Sequence, residues 1–200
     1  MIIIKLLSHI FGYRFFSYLN SMYSHLISHS VNRKLRKTDG FSRFQYPSVI
    51  KGLEYIEIGK SFQAGSRLRL QAIDHYRNGQ FSPKIIIGDN VIINPNCQIV
   101  AINKIEIGSN VLMASNVFIS DHAHGRSDFG DVTLAPEKRE LSSKGPVIIG
   151  DNVWIGQNVS ILANVIIGDN VIIGANSVVT KSIVANSIVA GAPATVLKTI

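Results

Sequence analysis

Residues 149–184 read IGDNVW, IGQNVS, ILANVI, IGDNVI, IGANSV and VTKSIV, consecutive copies of one six-residue unit with no break in phase. The unit occurs earlier as IGDNVI and INPNCQ over 87–98, and as IGSNVL and MASNVF over 107–118, with Ile99 and Ile119 each opening the next. Its first position is always aliphatic or Met, from Ile87, Ile93 and Ile107 through Met113 to Ile173 and Val179. Its fifth is small or β-branched, as at Val91, Cys97, Val153, Ser177 and Ile183. A helix of 3.6 residues per turn cannot hold a period of six on one face, and a strand's alternation gives no reason to mark every third repeat. Six residues can instead form a short strand and a turn, one side of a triangle. Three sides make a coil of about 18 residues, and stacked coils form parallel sheets ~4.8 Å apart. First-position residues then fill the interior near the corners, and fifth-position residues also point inward. Gly or Asn at the second and fourth positions tolerates left-handed turn backbone. Cys97 falls on an inward position with no activating neighbour, which makes it packing rather than a nucleophile.

The fold class expected is all-β: a parallel β-helix of triangular coils, with a helical N-terminal segment. The repeat extends over residues 56–185, and the degenerate pair IGKSFQ (58–63) and AGSRLR (64–69) is expected to form the first coil. Two interruptions mark loops, at Asp74–Lys84 (DHYRNGQFSPK) and at Asp121–Pro146 (DHAHGRSDFGDVTLAPEKRELSSKGP). The division expected is residues 1–46 as a basic amphipathic segment and 47–200 as the β-helix domain carrying loop 121–146.

Residues 1–37 read as helix: Leu6, Ile10, Tyr13, Phe16, Leu19, Met22, Leu26 and Ile27 recur at helical spacing, and Thr38-Asp39-Gly40 signals a turn. Nine Ser, Asn and His residues between Arg14 and Arg33 make the segment too polar to span a bilayer. Neither a basic n-region before Ile2-Ile3-Ile4 nor a clean cleavage site marks a secretory signal. Seven basic residues against Asp39 alone give residues 1–46 a net charge of +6, whereas 13 basic and 12 acidic residues leave 47–200 at +1. The formal charge of +7 therefore belongs to the N-terminal segment. Without a basic stripe elsewhere, a nucleic-acid partner is not expected. The segment is expected to cap the core or a sister subunit; its other reading is peripheral contact with an anionic inner leaflet. The expected location is cytoplasmic, with the inner membrane face as that variant.

The repeat resembles the hexapeptide-repeat acyltransferases, whose fold is the left-handed parallel β-helix. That resemblance implies the handedness, against the usual right-handed crossover. The stretch Asn116–Gly125, NVFISDHAHG, is similar to the start of the catalytic loop in the maltose and galactoside O-acetyltransferase branch. There a loop His is the general base, taking a proton from an acceptor hydroxyl as it attacks the acetyl-CoA thioester. The H-x-H motif favours His122, whereas counting outward from Ile119 favours His124; His122 is preferred. The resemblance gives Asn94 a contact with the acceptor or the reacting centre, though the repeat also makes corner asparagines common. It places Trp154 and Gly156 beside the acetyl and pantetheine region, with Trp154 facing outward. Gly174, Ala175, Thr180, Lys181, Pro193 and Lys198 match its coenzyme A end, except that Thr195 stands where the family usually carries an Arg.

What the resemblance implies is an acetyl-CoA-dependent O-acetyltransferase of a sugar or oligosaccharide hydroxyl, in surface-polysaccharide synthesis. It implies a homotrimer with active sites between subunits and no metal requirement. The alternatives are N-acetylation of an amino-sugar nucleotide and a metal-dependent hydratase resembling the γ-type carbonic anhydrases. The hydratase needs three converging imidazoles, and the repeat region offers His75, His122 and His124, the last two close together in the chain.

Overall fold

The computed structural model describes residues 11–126 and 130–199. Three sheets, parallel except for the final strand of the second, Ala194–Thr199, form the faces of a triangular prism. The first face stacks Lys37–Thr38, Ile56–Ile58, Lys84–Ile87, Lys104–Ile107, Val147–Ile149 and Val165–Ile167 in chain order. The second stacks Arg43–Phe44, Gln63–Ala64, Ile92–Ile93, Leu112–Met113, Trp154–Ile155, Ile172–Ile173 and Ser187–Gly191. The third stacks Val49–Lys51, Arg69–Ala72, Gln98–Ala101, Phe118–Ser120, Ser160–Ile161 and Val178–Val179. The chain visits the faces in rotation, and each circuit is one coil.

Registers follow the repeat. Ile87, Ile107, Ile149 and Ile167 align down the first face, and Ile93, Met113, Ile155 and Ile173 down the second. All eight are buried, as are the fifth-position residues Val91, Val153 and Val171. Cys97 is fully buried, and its thiol donates to the Ala114 carbonyl at 3.2 Å. Burial pushes that thiol's pKa up, so it is packing, as its place in the repeat indicates.

The corners separate two roles that the repeat left merged. Every fourth-position Asn has positive φ, near 57° at Asn90, Asn110, Asn152 and Asn170. Their amides also stack from coil to coil, Nδ2 to Oδ1, at 3.0–3.2 Å. The second-position glycines do not share that conformation: Gly88, Gly108, Gly150 and Gly168 are absent from the positive-φ set. Space selects them instead. A Cβ on Gly108 would lie 2.7 Å from the Gly150 carbonyl carbon and 2.4 Å from Asp151 Oδ1. That oxygen already accepts the Ser109 N–H at 2.6 Å.

The N-terminal boundary falls earlier than expected. Helix α1 spans Tyr13–Asn32, and the expected helical start over residues 1–10 lies outside the described residues. Lys37–Thr38 pairs with Glu57–Ile58, Arg43–Phe44 with Gln63–Ala64, and Val49–Lys51 with Arg69–Gln71. The first coil is therefore 37–51, one turn before IGKSFQ, and a boundary at residue 46 would cut through it. Phe44 is buried against Phe62 with ring centroids 5.3 Å apart, beside the small Ala64. The aromatic pair replaces the aliphatic signature that would have revealed this coil.

Helix α1 also packs by an unexpected face. Ser24, Ser28 and Asn32, spaced i, i+4, i+8, bond the backbone of Ser42, Phe44 and Tyr46. Ser28 Oγ receives the Phe44 N–H at 2.9 Å, and Asn32 Oδ1 receives that of Ser42 at 2.9 Å. Only Val31 and Ser28 are buried, with Ile27 partly so. Of the stripe expected to be buried, Tyr13, Phe16, Met22 and Leu26 are exposed, while Leu19 and Ile27 are partly covered. The strand at the open edge needs partners for its N–H and C=O groups, and the helix supplies them from its polar side. No helix among the described residues is long and apolar enough to cross a membrane.

Candidate active site

Both loop insertions leave the prism at the corner between the third and first faces. The shorter forms a hairpin of His75–Tyr76 with Gly79–Gln80, the longer a hairpin of His122–His124 with Leu141–Ser143. They touch. The Tyr76 ring meets His124 edge-on at 5.5 Å, and Arg77 Nη1 donates to the Glu137 carbonyl at 2.9 Å. At the base of the short loop Tyr55 donates to Asp74 at 3.1 Å, and that bond to a carboxylate raises the phenol's pKa.

Asp121, the first residue of the long loop, is fully buried. Its Oδ1 accepts the Ile102 N–H at 3.0 Å and its Oδ2 the Asn103 N–H at 2.8 Å, which ties the loop root to the preceding coil. Oδ1 also lies 2.9 Å from His122 Nδ1. Ser120 Oγ sits 3.2 Å from the same nitrogen while donating to the His122 carbonyl at 2.9 Å. A buried carboxylate facing Nδ1 fixes the tautomer: Nδ1 carries the proton and Nε2 keeps its lone pair. That is the arrangement a general base requires, with a third group orienting it.

The His122 side chain is 11% exposed and lines a cleft of about 520 Å³ together with His124, Lys144, Asn164 and Thr180. Of the residues expected at the site, the fold thus brings together His122, His124 and Thr180, with Lys181 next in the chain. His124 is exposed, and among the described residues the one contact of its ring is the Tyr76 edge. Asn94 is elsewhere: it lies at the corner between the second and third faces, where its Nδ2 donates to the Met113 carbonyl at 3.0 Å. It lines a separate cleft of about 580 Å³ beside helix α1, with His25, Arg43 and Gln63.

Gly156, Gly174 and Ala175 occupy the Asn94 corner in later coils, and a Cβ on Gly156 would lie 2.6 Å from the Ala175 nitrogen. Trp154 points outward from the second face and is 52% exposed, as expected. Pro193 lies in the turn between Ser187–Gly191 and Ala194–Thr199, and Lys198 is exposed on the last strand opposite Ile188. Sequence reasoning missed Asp121 as a site residue, although it stands directly before His122. It also missed Lys144, whose approach depends on how the hairpin closes. Among the described residues no three His, Cys, Asp or Glu side chains converge as metal ligands would, and His75 stays on its own hairpin.

The signature of the bacterial transferase hexapeptide family (six repeats) matches residues 146–181. The chain belongs to this family, the hexapeptide-repeat acyltransferases of left-handed β-helix fold, on the sugar O-acetyltransferase branch. It is 39% identical over 158 residues to WbbJ of Escherichia coli strain K12, covering 77% of this chain and 76% of that protein. WbbJ carries a provisional assignment as a lipopolysaccharide biosynthesis O-acetyl transferase. The structure resembles a maltose O-acetyltransferase from Clostridium difficile 630 with a TM-score of 0.53 and 26% identity, covering 92% of this chain and 87% of that one. It also resembles a galactoside acetyltransferase solved with coenzyme A, with a TM-score of 0.55 and 28% identity, over 85% of this chain and 68% of that one.

Proposed function

We propose that the chain transfers an acetyl group from acetyl-CoA to a sugar hydroxyl, with His122 as general base. The observation carrying this is the His122–Asp121 pair on a cleft that also contains Thr180. His122 Nε2 takes the proton of the acceptor hydroxyl as that oxygen attacks the thioester carbonyl. The tetrahedral intermediate expels the coenzyme A thiolate, which receives the same proton, leaving an acetyl ester, free thiol and neutral imidazole. Thr180 and the small residues Gly156, Gly174 and Ala175 are assigned to the pantetheine arm, and Lys181 and Lys198, the latter near the Pro193 turn, to the phosphates. The name of WbbJ supports placing the acceptor in surface-polysaccharide synthesis. The compartment is then the cytoplasm, where acetyl-CoA is available.

The test is thiol release from acetyl-CoA across a panel of sugars, nucleotide sugars and oligosaccharides. Acceptor-dependent release with an alkali-labile acetyl product is expected. An alkali-stable amide formed only on amino sugars would replace this reading with N-acetylation.

We also infer a homotrimer in which the His122 loop of one copy faces the second face of another. Ile92, Leu112, Trp154 and Ile172 pair in register down that face, and the first three are 42–52% exposed. An apolar ladder on the outside of a β-solenoid is what a subunit interface covers. The same contact brings Asn94 and Trp154 of one copy toward the His122 cleft of another. Burying one such side chain is worth about 1.5–3 kcal/mol. Leu112→Asp, repeated at each interface of the ring, is expected to convert the trimer to monomers without activity, read by light scattering and thiol release.

A further inference from the structure

We propose that the outward face of helix α1 docks on an anionic lipid surface, lying in the plane of the bilayer interface. Phe15, Leu19, Met22 and Leu26 follow at i, i+4, i+7 and i+11, half a turn from the Ser24–Ser28–Asn32 seam that holds the helix to the β-helix. Leu19 is half-buried, whereas Phe15, Met22 and Leu26 are exposed, Leu26 by 59%. Tyr18 and Tyr23 flank the stripe and are exposed as well. An amphipathic helix ordinarily turns its apolar stripe to the core. Here the hydrogen bonds of the seam hold the polar side inward, and the apolar side is left uncovered.

Charge identifies the occupant. No Asp or Glu precedes Asp39 in the chain. Arg36 and Lys37 are engaged with Glu57 and Asp39 at 3.1 and 3.4 Å. Arg14, Arg33 and Lys34 are exposed and have no ion pair among the described residues. Arg33 extends the apolar stripe at its C-terminal end, seven residues after Leu26. Two copies meeting on this face would set these cations against one another with no carboxylate between them. A bilayer containing anionic lipid accepts both features: apolar side chains enter the acyl boundary, tyrosines sit at headgroup level, and the cations meet phosphates. This surface lies on the helix and does not depend on the acetyl-transfer chemistry, and its test does not use activity.

The full chain is sedimented with vesicles of phosphatidylcholine alone and of phosphatidylcholine with phosphatidylglycerol in equal parts. Sedimentation with the second only, declining as salt rises, is expected. The variant Phe15→Ser/Met22→Ser/Leu26→Ser should lose binding while keeping melting temperature and oligomeric state, because those side chains touch no core. The variant Arg14→Glu/Arg33→Glu/Lys34→Glu should lose it too. Failure of the wild-type chain to bind, or equal binding to neutral vesicles, would overturn the proposal. A serine variant that falls to a smaller oligomer would assign the stripe to another copy of the chain and overturn it as well.

Discussion

His122→Ala is expected to lower kcat for acetyl transfer by about 10²–10⁴-fold, the contribution of a positioned general base, with little change in KM for acetyl-CoA. The ring sits on a hairpin outside the stacked coils, and its loss opens no cavity in the core. The melting temperature should therefore barely move. His124→Ala should cost less than about tenfold, since a general-base loss would exceed that. Among the described residues its ring makes only an edge contact with Tyr76, and no carboxylate bonds it. Steady-state thiol release on the two variants separates the candidates. A dead His124→Ala beside a near-normal His122→Ala would transfer the role to His124.

Asp121→Asn should lower kcat about as far as loss of the imidazole itself and should also weaken the fold. The carboxylate accepts from Ile102 N, Asn103 N and His122 Nδ1. An amide of the same shape has one accepting oxygen and a donating NH₂ group. If its oxygen takes the Oδ2 place and serves Asn103, its NH₂ faces both the Ile102 N–H and Nδ1, and drives the imidazole to the tautomer whose Nε2 already carries a proton, useless as a base. If its oxygen serves His122, at least one backbone N–H is left buried without a partner. An unsatisfied buried donor costs about 1–3 kcal/mol, and a chain of this size loses ~2–4 °C per kcal/mol. The expected result is a kcat deficit of at least ~10²-fold with a lower melting temperature. Normal turnover would show that the pair is structural and not part of the catalytic apparatus.

The two variants bear on why some of this site was legible in the sequence and some was not. The Asp-His-x-His stretch marked the loop, but both imidazoles look alike along the chain. What distinguishes them is Asp121, and that carboxylate is fixed by N–H groups of Ile102 and Asn103, a full coil earlier. Likewise the contact of Tyr76 with His124 joins two insertions separated by more than one coil, and no local pattern announces it. Asn94 falls at a coil corner and Trp154 faces outward, and neither lines the His122 cleft within one chain.

What the sequence determined by itself was the solenoid from Ile58 onward, its inward positions and its two excursions. Each coil must meet the same demands: an aliphatic side chain at the corner, a small one beside it, Asn in left-handed backbone, and Gly where the next coil presses close. Identical demands write identical letters. Tertiary structure alone decided three things. Phe44 fills the interior of an earlier coil with a ring packed on Phe62 of the next, satisfying the volume without the signature. Asp121, held by the Ile102 and Asn103 N–H groups of the preceding coil, lies against His122. Helix α1 turns its polar side inward, because the open strand edge needs hydrogen-bond partners as well as apolar cover, and an amphipathic pattern does not say which of its faces the rest of the chain will take.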